Sequence, residues 1–332
     1  GVSPSFHSSS DLLILGMSLI LAAAENIIQA MVPKFGAYLV LACAAMSLLF
    51  LTGCAGPSYY TQAISGHLRL MGAREDIRVI LDREDTDPEL QSKLRLALEI
   101  RSFATQSLGL PDNGSYTEFV QTGKKAVSWN VVAAPEFSIH AKKWCFVVSG
   151  CVPYRGYFER SKADEFAQKM RDKSYDVTVS PAIAYSTLGW FNDPLLDTMM
   201  QYSDEQFAAF IFHELAHQAL YVKGDSVFNE TYAGFVEEVA VREWLQASKR
   251  EERLPHWQSM EKAAIQFNRM LMKTRNRLAE EYASGNSEET MRSNKQAIFA
   301  DMKSGYQDMV REQWGGRDHF KSWFSGALNN AR

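Results

Sequence analysis

The residues best suited to chemistry lie in one short run, His213-Glu214-Leu215-Ala216-His217. On a helix, positions i and i+4 stand one turn apart on the same face, so His213 and His217 can offer two imidazoles to one Zn²⁺. Glu214 lies beside them and can act as general base on a water activated at the metal, which points to attack on a carbonyl. A catalytic zinc takes three protein ligands and keeps a fourth position open. The third candidate is Glu230, in Asn229-Glu230-Thr231-Tyr232-Ala233-Gly234-Phe235-Val236-Glu237-Glu238. It falls in the first turn of a second helix, which would run back antiparallel across the loop 223–226. Glu237, seven residues on, shares that face and is placed to accept an imidazole N–H. The plainer readings are a solvated acidic face for Glu237 and Glu238, and two helix histidines satisfied by ordinary neighbours.

The elements that must hold these residues are legible around them. Ser203-Asp204-Glu205-Gln206 is a capping box, and Phe210, Ile211, Leu215, Ala216 and Ala219 recur at helical spacing, so the motif sits on a helix over 203–222. Further helices are expected over 229–248, 256–284 and 287–313. Upstream, 59–81 and 88–108 have helical spacing, the latter opened by Asp87 as cap and Pro88 at the first helical position. Residues 126–160 are β-branched and aromatic and read as a small antiparallel sheet, followed by a helix over 161–173. A strand is expected over 176–185, and Pro181, which cannot donate to a ladder, puts it at a sheet edge. The order predicts an α+β fold: a small antiparallel or mixed sheet with an edge strand, then a mostly helical C-terminal half.

The chain has 332 residues, 35 Lys plus Arg against 39 Asp plus Glu, and a net charge of −4. With no basic surplus, nucleic acid is not an expected partner. Residues 1–53 carry only Asp11, Glu25 and Lys34 as charged groups, with apolar runs at 12–24 and 35–53. The second run ends on Leu51-Thr52-Gly53-Cys54-Ala55-Gly56, the order of a bacterial lipoprotein signal, with Cys54 the lipidated first residue of the mature chain. The competing reading is a transmembrane anchor over 35–53. Met31 opens that signal, and the stretch before it reads as an over-extended frame. Ala55 after the lipidated Cys predicts a protein tethered to the outer membrane and facing the periplasm. In that oxidising compartment Cys145 and Cys151, flanking a Ser149-Gly150 turn, are expected to form a disulfide, with a metal-ligand pair as the alternative. The expected organisation is a leader over 1–53, a lipidated tether and first helix over 54–86, and one catalytic domain over 87–332.

The stretches HELAHQ and NETYAGFVEE resemble the gluzincin metallopeptidases, and are similar to the corresponding stretches of aminopeptidase N-like enzymes. The resemblance implies zinc ligands at His213, His217 and Glu230, the base at Glu214 and a supporting carboxylate at Glu237, on a zincin-like fold. More closely, GCAGPSYYTQAISGHLRLM, WCFVVSGCVPYRGYF, AYSTLGWFNDPLL, HELAHQ and LNNA are similar to a family of bacterial aminopeptidase lipoproteins. Two features depart from aminopeptidase N: the ligand spacing is shorter, and no Gly-Ala-Met-Glu-Asn motif is present. Members of the lipoprotein family continue past the Asn-Asn-Ala stretch, so this chain is expected to end short of its last element. The architecture also implies that residues 182–188 pair with an extended peptide substrate, with Tyr185, Ser186 and Thr187 as contacts. Ordinary core packing with a satisfied hydroxyl is the alternative for Tyr185. Tyr306 and His319 are candidates to stabilise an oxyanion. The function expected is zinc-dependent peptide hydrolysis, with a non-catalytic, partner-binding envelope lipoprotein as the alternative.

Overall fold

The computed structural model describes residues 56–146, 150–187 and 191–332. The leader over 1–53, the lipidation candidate Cys54, Ser149 of the expected turn and Leu188 lie outside the described residues. In chain order the elements are α1 (Pro57–Gly72), β1 (Glu75–Asp76), α2 (Ile77–Leu81), α3 (Pro88–Gln106), β2 (Glu118–Val120), β3 (Ser128–Pro135), β4 (Trp144–Phe146), β5 (Gly150–Val152), β6 (Arg155–Tyr157), α4 (Arg160–Arg171), β7 (Tyr175–Ala182), β8 (Leu195–Leu196), α5 (Asp204–Ala219), α6 (Ser226–Ala247), α7 (Leu254–Tyr282) and α8 (Glu288–Asp308). The fold is mixed α+β with small sheets, as the element order predicts. Among the described residues no helix is long and apolar enough to cross a membrane.

The chain divides into two units, Gly1–Tyr60 with Cys145–Gly150, and Thr61–Trp144 with Cys151–Arg332. In the first, Tyr59 stacks on Phe146 with ring centroids 5.3 Å apart. Cys145 and Cys151 are both disulfide-bonded. The second unit holds two three-stranded sheets, β1-β2-β8 and β6-β3-β7. In the latter both pairings are antiparallel, and β7 is an edge, with Pro181 opposite Trp129. The helix expected over 59–81 is instead two. α1 stops at Gly72, Glu75 and Asp76 pair with β2, and the Asp76 carboxylate accepts the Arg78 N–H to start α2. The apolar spacing of the region continues across that break, so periodicity alone does not reveal it.

α5 is positioned by what it buries. Phe207, Ala208, Ile211, Phe212 and Leu215 are all at zero exposure, packed in a core with Leu94, Ile100, Leu195, Leu196, Val241 and Trp244. Each large side chain so buried contributes about 1.5–3 kcal/mol. The capping box forms as expected, Ser203 accepting from the Gln206 N–H and the Gln206 side chain accepting from the Ser203 N–H. Asp204 at the helix start is held by Lys93 at 2.7 Å and Arg253 at 2.8 Å, and the buried Glu205 by Arg253 at 3.0 Å. Acidic groups there also complement the partial positive charge of the helix N-terminus.

Candidate active site

The last two turns of α5 carry His213 and His217 on one face, with ring centroids 4.8 Å apart. α6 returns antiparallel: Glu230 faces both imidazoles, and Glu237, two turns further, reaches His213. The turn between the helices is pinned by Asn229, buried at 1% exposure. Its side chain accepts from the Val222 N–H at 2.8 Å and donates to the Val222 carbonyl at 2.9 Å, while Asp225 caps α6 by accepting from the Phe228 N–H. These three bonds fix the first turn of α6, and Glu230 follows Asn229 directly.

Glu230 Oε2 lies 3.4 Å from His213 Nε2 and Oε1 lies 3.6 Å from His217 Nε2. Ligands about 2.0–2.2 Å from a tetrahedral Zn²⁺ sit roughly 3.3 Å from one another, so this donor set fits the ion. The candidate ligand atoms of His213, His217 and Glu230 all fall within 4.8 Å of one another. His213 Nδ1 contacts Glu237 Oε2 at 2.9 Å, which turns its Nε2 toward Glu230. The His217 Nδ1 is buried without a hydrogen-bond partner among the described residues. The Glu230 side chain is 67% exposed, so the cluster opens to solvent on that side and leaves an approach for substrate.

Glu214 points to a different group of side chains. Burial pushes its carboxyl above the usual range, helped by the nearby charges of Asp193 and Glu230 and opposed by hydrogen bonding with Ser186 and by the charge of His213. Asp193 is fully buried; burial raises it too, against hydrogen bonds from Thr187 and Ser186. The Thr187 N–H donates to both Asp193 oxygens at 3.0 Å, and its hydroxyl donates to one at 2.7 Å. Asp193 also joins the chain ahead of it, its carbonyl accepting from the Tyr116 N–H at 2.7 Å and its N–H donating to the Ser115 hydroxyl at 3.3 Å. Tyr116 holds a left-handed backbone, φ 64°. Arg101 braces the same turn by donating to the carbonyls of Ser115 and Asn113 at 2.9 and 2.7 Å, and Asn113 donates to Gln218, beside His217, at 2.7 Å.

The sequence-expected residues fall as follows. His213, His217, Glu230 and Glu237 come together; Glu214 flanks them. The Tyr185 hydroxyl meets His67 Nδ1 at 3.0 Å and its ring packs near Phe158 and the core. Ser186 and Thr187 lie beyond the end of β7 and contact carboxylates. The Tyr306 hydroxyl donates to Asp318 within an aromatic cluster that includes Trp314, and His319 lies against Trp314. Neither shares a described contact with the histidine cluster. Asp193, Asn229 and Arg101 are the residues that sequence reasoning missed. The Asn229 signal was present, as a polar residue just inside a helix start; Asp193 had none, since its partners lie across a turn of irregular chain.

A family model described as "Putative aminopeptidase" matches residues 58–332. No curated protein and no solved structure matches the chain.

Proposed function

The chain belongs to that aminopeptidase family, and from this premise we propose that it is a zinc-dependent aminopeptidase of zincin-like fold, held in the bacterial envelope by lipid on Cys54 and facing the periplasm. The observation that carries the reading is the convergence of His213, His217 and Glu230 with a half-buried Glu214 alongside. Zinc held by those three residues would lower the pKa of a water and polarise the scissile carbonyl. Glu214 takes the proton of the attacking water and returns it to the leaving amine. Glu237 holds His213 with Nε2 outward. The substrate is a peptide, and it approaches over the exposed Glu230 side. Leu220, Tyr221 and Val222, exposed at 43%, 49% and 41%, follow the motif helix directly, and the Tyr221 ring lies 6.3 Å from that of His217. That apolar rim suits an apolar substrate side chain next to the scissile bond.

The test is metal content together with hydrolysis of amino-acyl amides. Purified protein should carry one zinc per chain and cleave substrates with a free amino group much faster than their N-acetylated forms. Chelation should remove activity and added zinc should restore it. Equal cleavage of blocked and free substrates would make it an endopeptidase, and bound metal with no turnover of either would favour a partner-binding lipoprotein.

A further inference from the structure

Phe210, Glu214 and Gln218 stand one turn apart on a single face of α5, because positions i, i+4 and i+8 of a helix line up. The turn 113–116 crosses that face and touches it on either side of Glu214. At one end Asn113 donates to the Gln218 side chain at 2.7 Å, and at the other the Tyr116 ring packs edge-on against Phe210 with centroids 5.9 Å apart. Tyr116 is at zero exposure, and its hydroxyl is buried with no hydrogen-bond partner among the described residues. A buried hydroxyl left unbonded is costly, and a bulky residue at φ 64° is an outlier that its surroundings must impose. Here they do: the Tyr116 N–H donates to the Asp193 carbonyl at 2.7 Å, and the buried Arg101 donates to the carbonyls of Pro111, Asn113 and Ser115 at 2.8, 2.7 and 2.9 Å. A strained backbone and an unbonded hydroxyl are thus held together one helical turn from Glu214.

We propose that Tyr116 is a positioning residue for the base: its hydroxyl donates to the Glu214 carboxylate when that side chain turns to the attacking water, and so fixes the orientation in which it takes the proton. Each group supplies what the other lacks. The hydroxyl has a proton and no acceptor, and an ionised carboxylate offers about four lone-pair sites. Burial, with the charges of Glu214 and Asp193, holds the Tyr116 hydroxyl well above its ordinary pKa, so it stays protonated and remains a donor. The backbone and ring of Tyr116 are fixed, so Glu214 is the partner that moves, and a glutamate side chain has the rotamers to do so. Small displacements of a catalytic group cost rate steeply, because a general base acts only within hydrogen-bond distance. The inference rests on Glu214 being the base.

The test uses the zinc-loaded full chain, an amino-acyl amide substrate, and the variants Tyr116→Phe, Glu214→Gln and their double. Tyr116→Phe keeps the ring against Phe210 and removes only an unbonded buried hydroxyl, so Tm should stay level or rise. Its kcat should fall at least about fivefold, with KM and zinc content unchanged. In the Glu214→Gln background the same substitution should alter the residual turnover by less than about twofold, since the two members of one contact do not add. A smaller loss of kcat in Tyr116→Phe would overturn the proposal. So would a loss that comes with a lower Tm or with missing zinc, which marks a structural role. A larger further loss in the Glu214→Gln background would place the action of the hydroxyl away from the base and overturn it too. Undiminished turnover in Glu214→Gln would remove the base reading and this inference with it. A collapse in Glu214→Gln beside normal Tyr116→Phe would remove only the inference.

Discussion

The two imidazoles at the end of the motif helix differ electrostatically although one turn separates them. For His213 burial disfavours the charged form, but the hydrogen bond and charge of Glu237 outweigh it and raise the pKa above its ordinary value. For His217 burial and the neighbouring His213 both push the pKa down, with Glu230 only partly opposing them. On the proposed zinc reading Glu237 polarises one ligand and fixes its ring, and a carboxylate in that role commonly accounts for about 10–100-fold of metal affinity. Glu237→Gln should keep the fold and lose zinc affinity in that range, measured by competition with a chelator; unchanged affinity would mean that Glu237 is only a helix-face acid. His213, His217, Glu230 and Glu237 were legible because helical spacing is local and i, i+4 and i, i+7 relations survive folding unchanged. Asp193 was not, because a carboxylate that meets its partners across irregular chain leaves no period to read.

Helix α5 is held at its start by charge and along its length by burial. Asp204 is desolvated, which alone would raise its pKa, yet the hydrogen bonds and charges of Lys93 and Arg253 bring it below the ordinary carboxylate value. A carboxylate depressed in the folded state contributes stability that is complete above its unfolded pKa, about 3.9, and is lost as pH falls through the folded one. Asp204→Asn should therefore lower Tm at pH 7, and the gap to wild type should begin to shrink as pH falls below about 4 and go on shrinking through the folded pKa; a gap that does not change with pH in acid would contradict the pairing. A second element constraint lies on α1, where a Cβ on Gly66 would sit 2.0 Å from Cδ2 of the Phe158 ring. Gly66→Ala should cost about 1–3 kcal/mol by overpacking, read from the urea midpoint. Caps and proline starts were plain in the sequence: Asp87 caps α3 and Ser203 caps α5 as read. The strands β2 and β8 were not, since runs of three and two residues are too short to alternate.

At the scale of the whole molecule, the net charge of −4 leaves no overall basic surplus, and the family match spans most of the chain. The envelope reading rests on Leu51 to Gly56 and is independent of the zinc cluster. If it holds, Cys54→Ser should abolish fatty-acid labelling and leave the uncut leader as a membrane span, whereas an unlabelled wild-type protein in the inner membrane would make residues 35–53 an ordinary anchor. The central claim is that a zinc held by His213, His217 and Glu230 works with Glu214 as base. The measurement that tests it most directly is peptide-amide turnover by Glu214→Gln at verified zinc content. The expected result is full zinc, a Tm close to wild type and a turnover lower by about 10²–10⁴-fold. Wild-type turnover in a zinc-replete Glu214→Gln protein would contradict it.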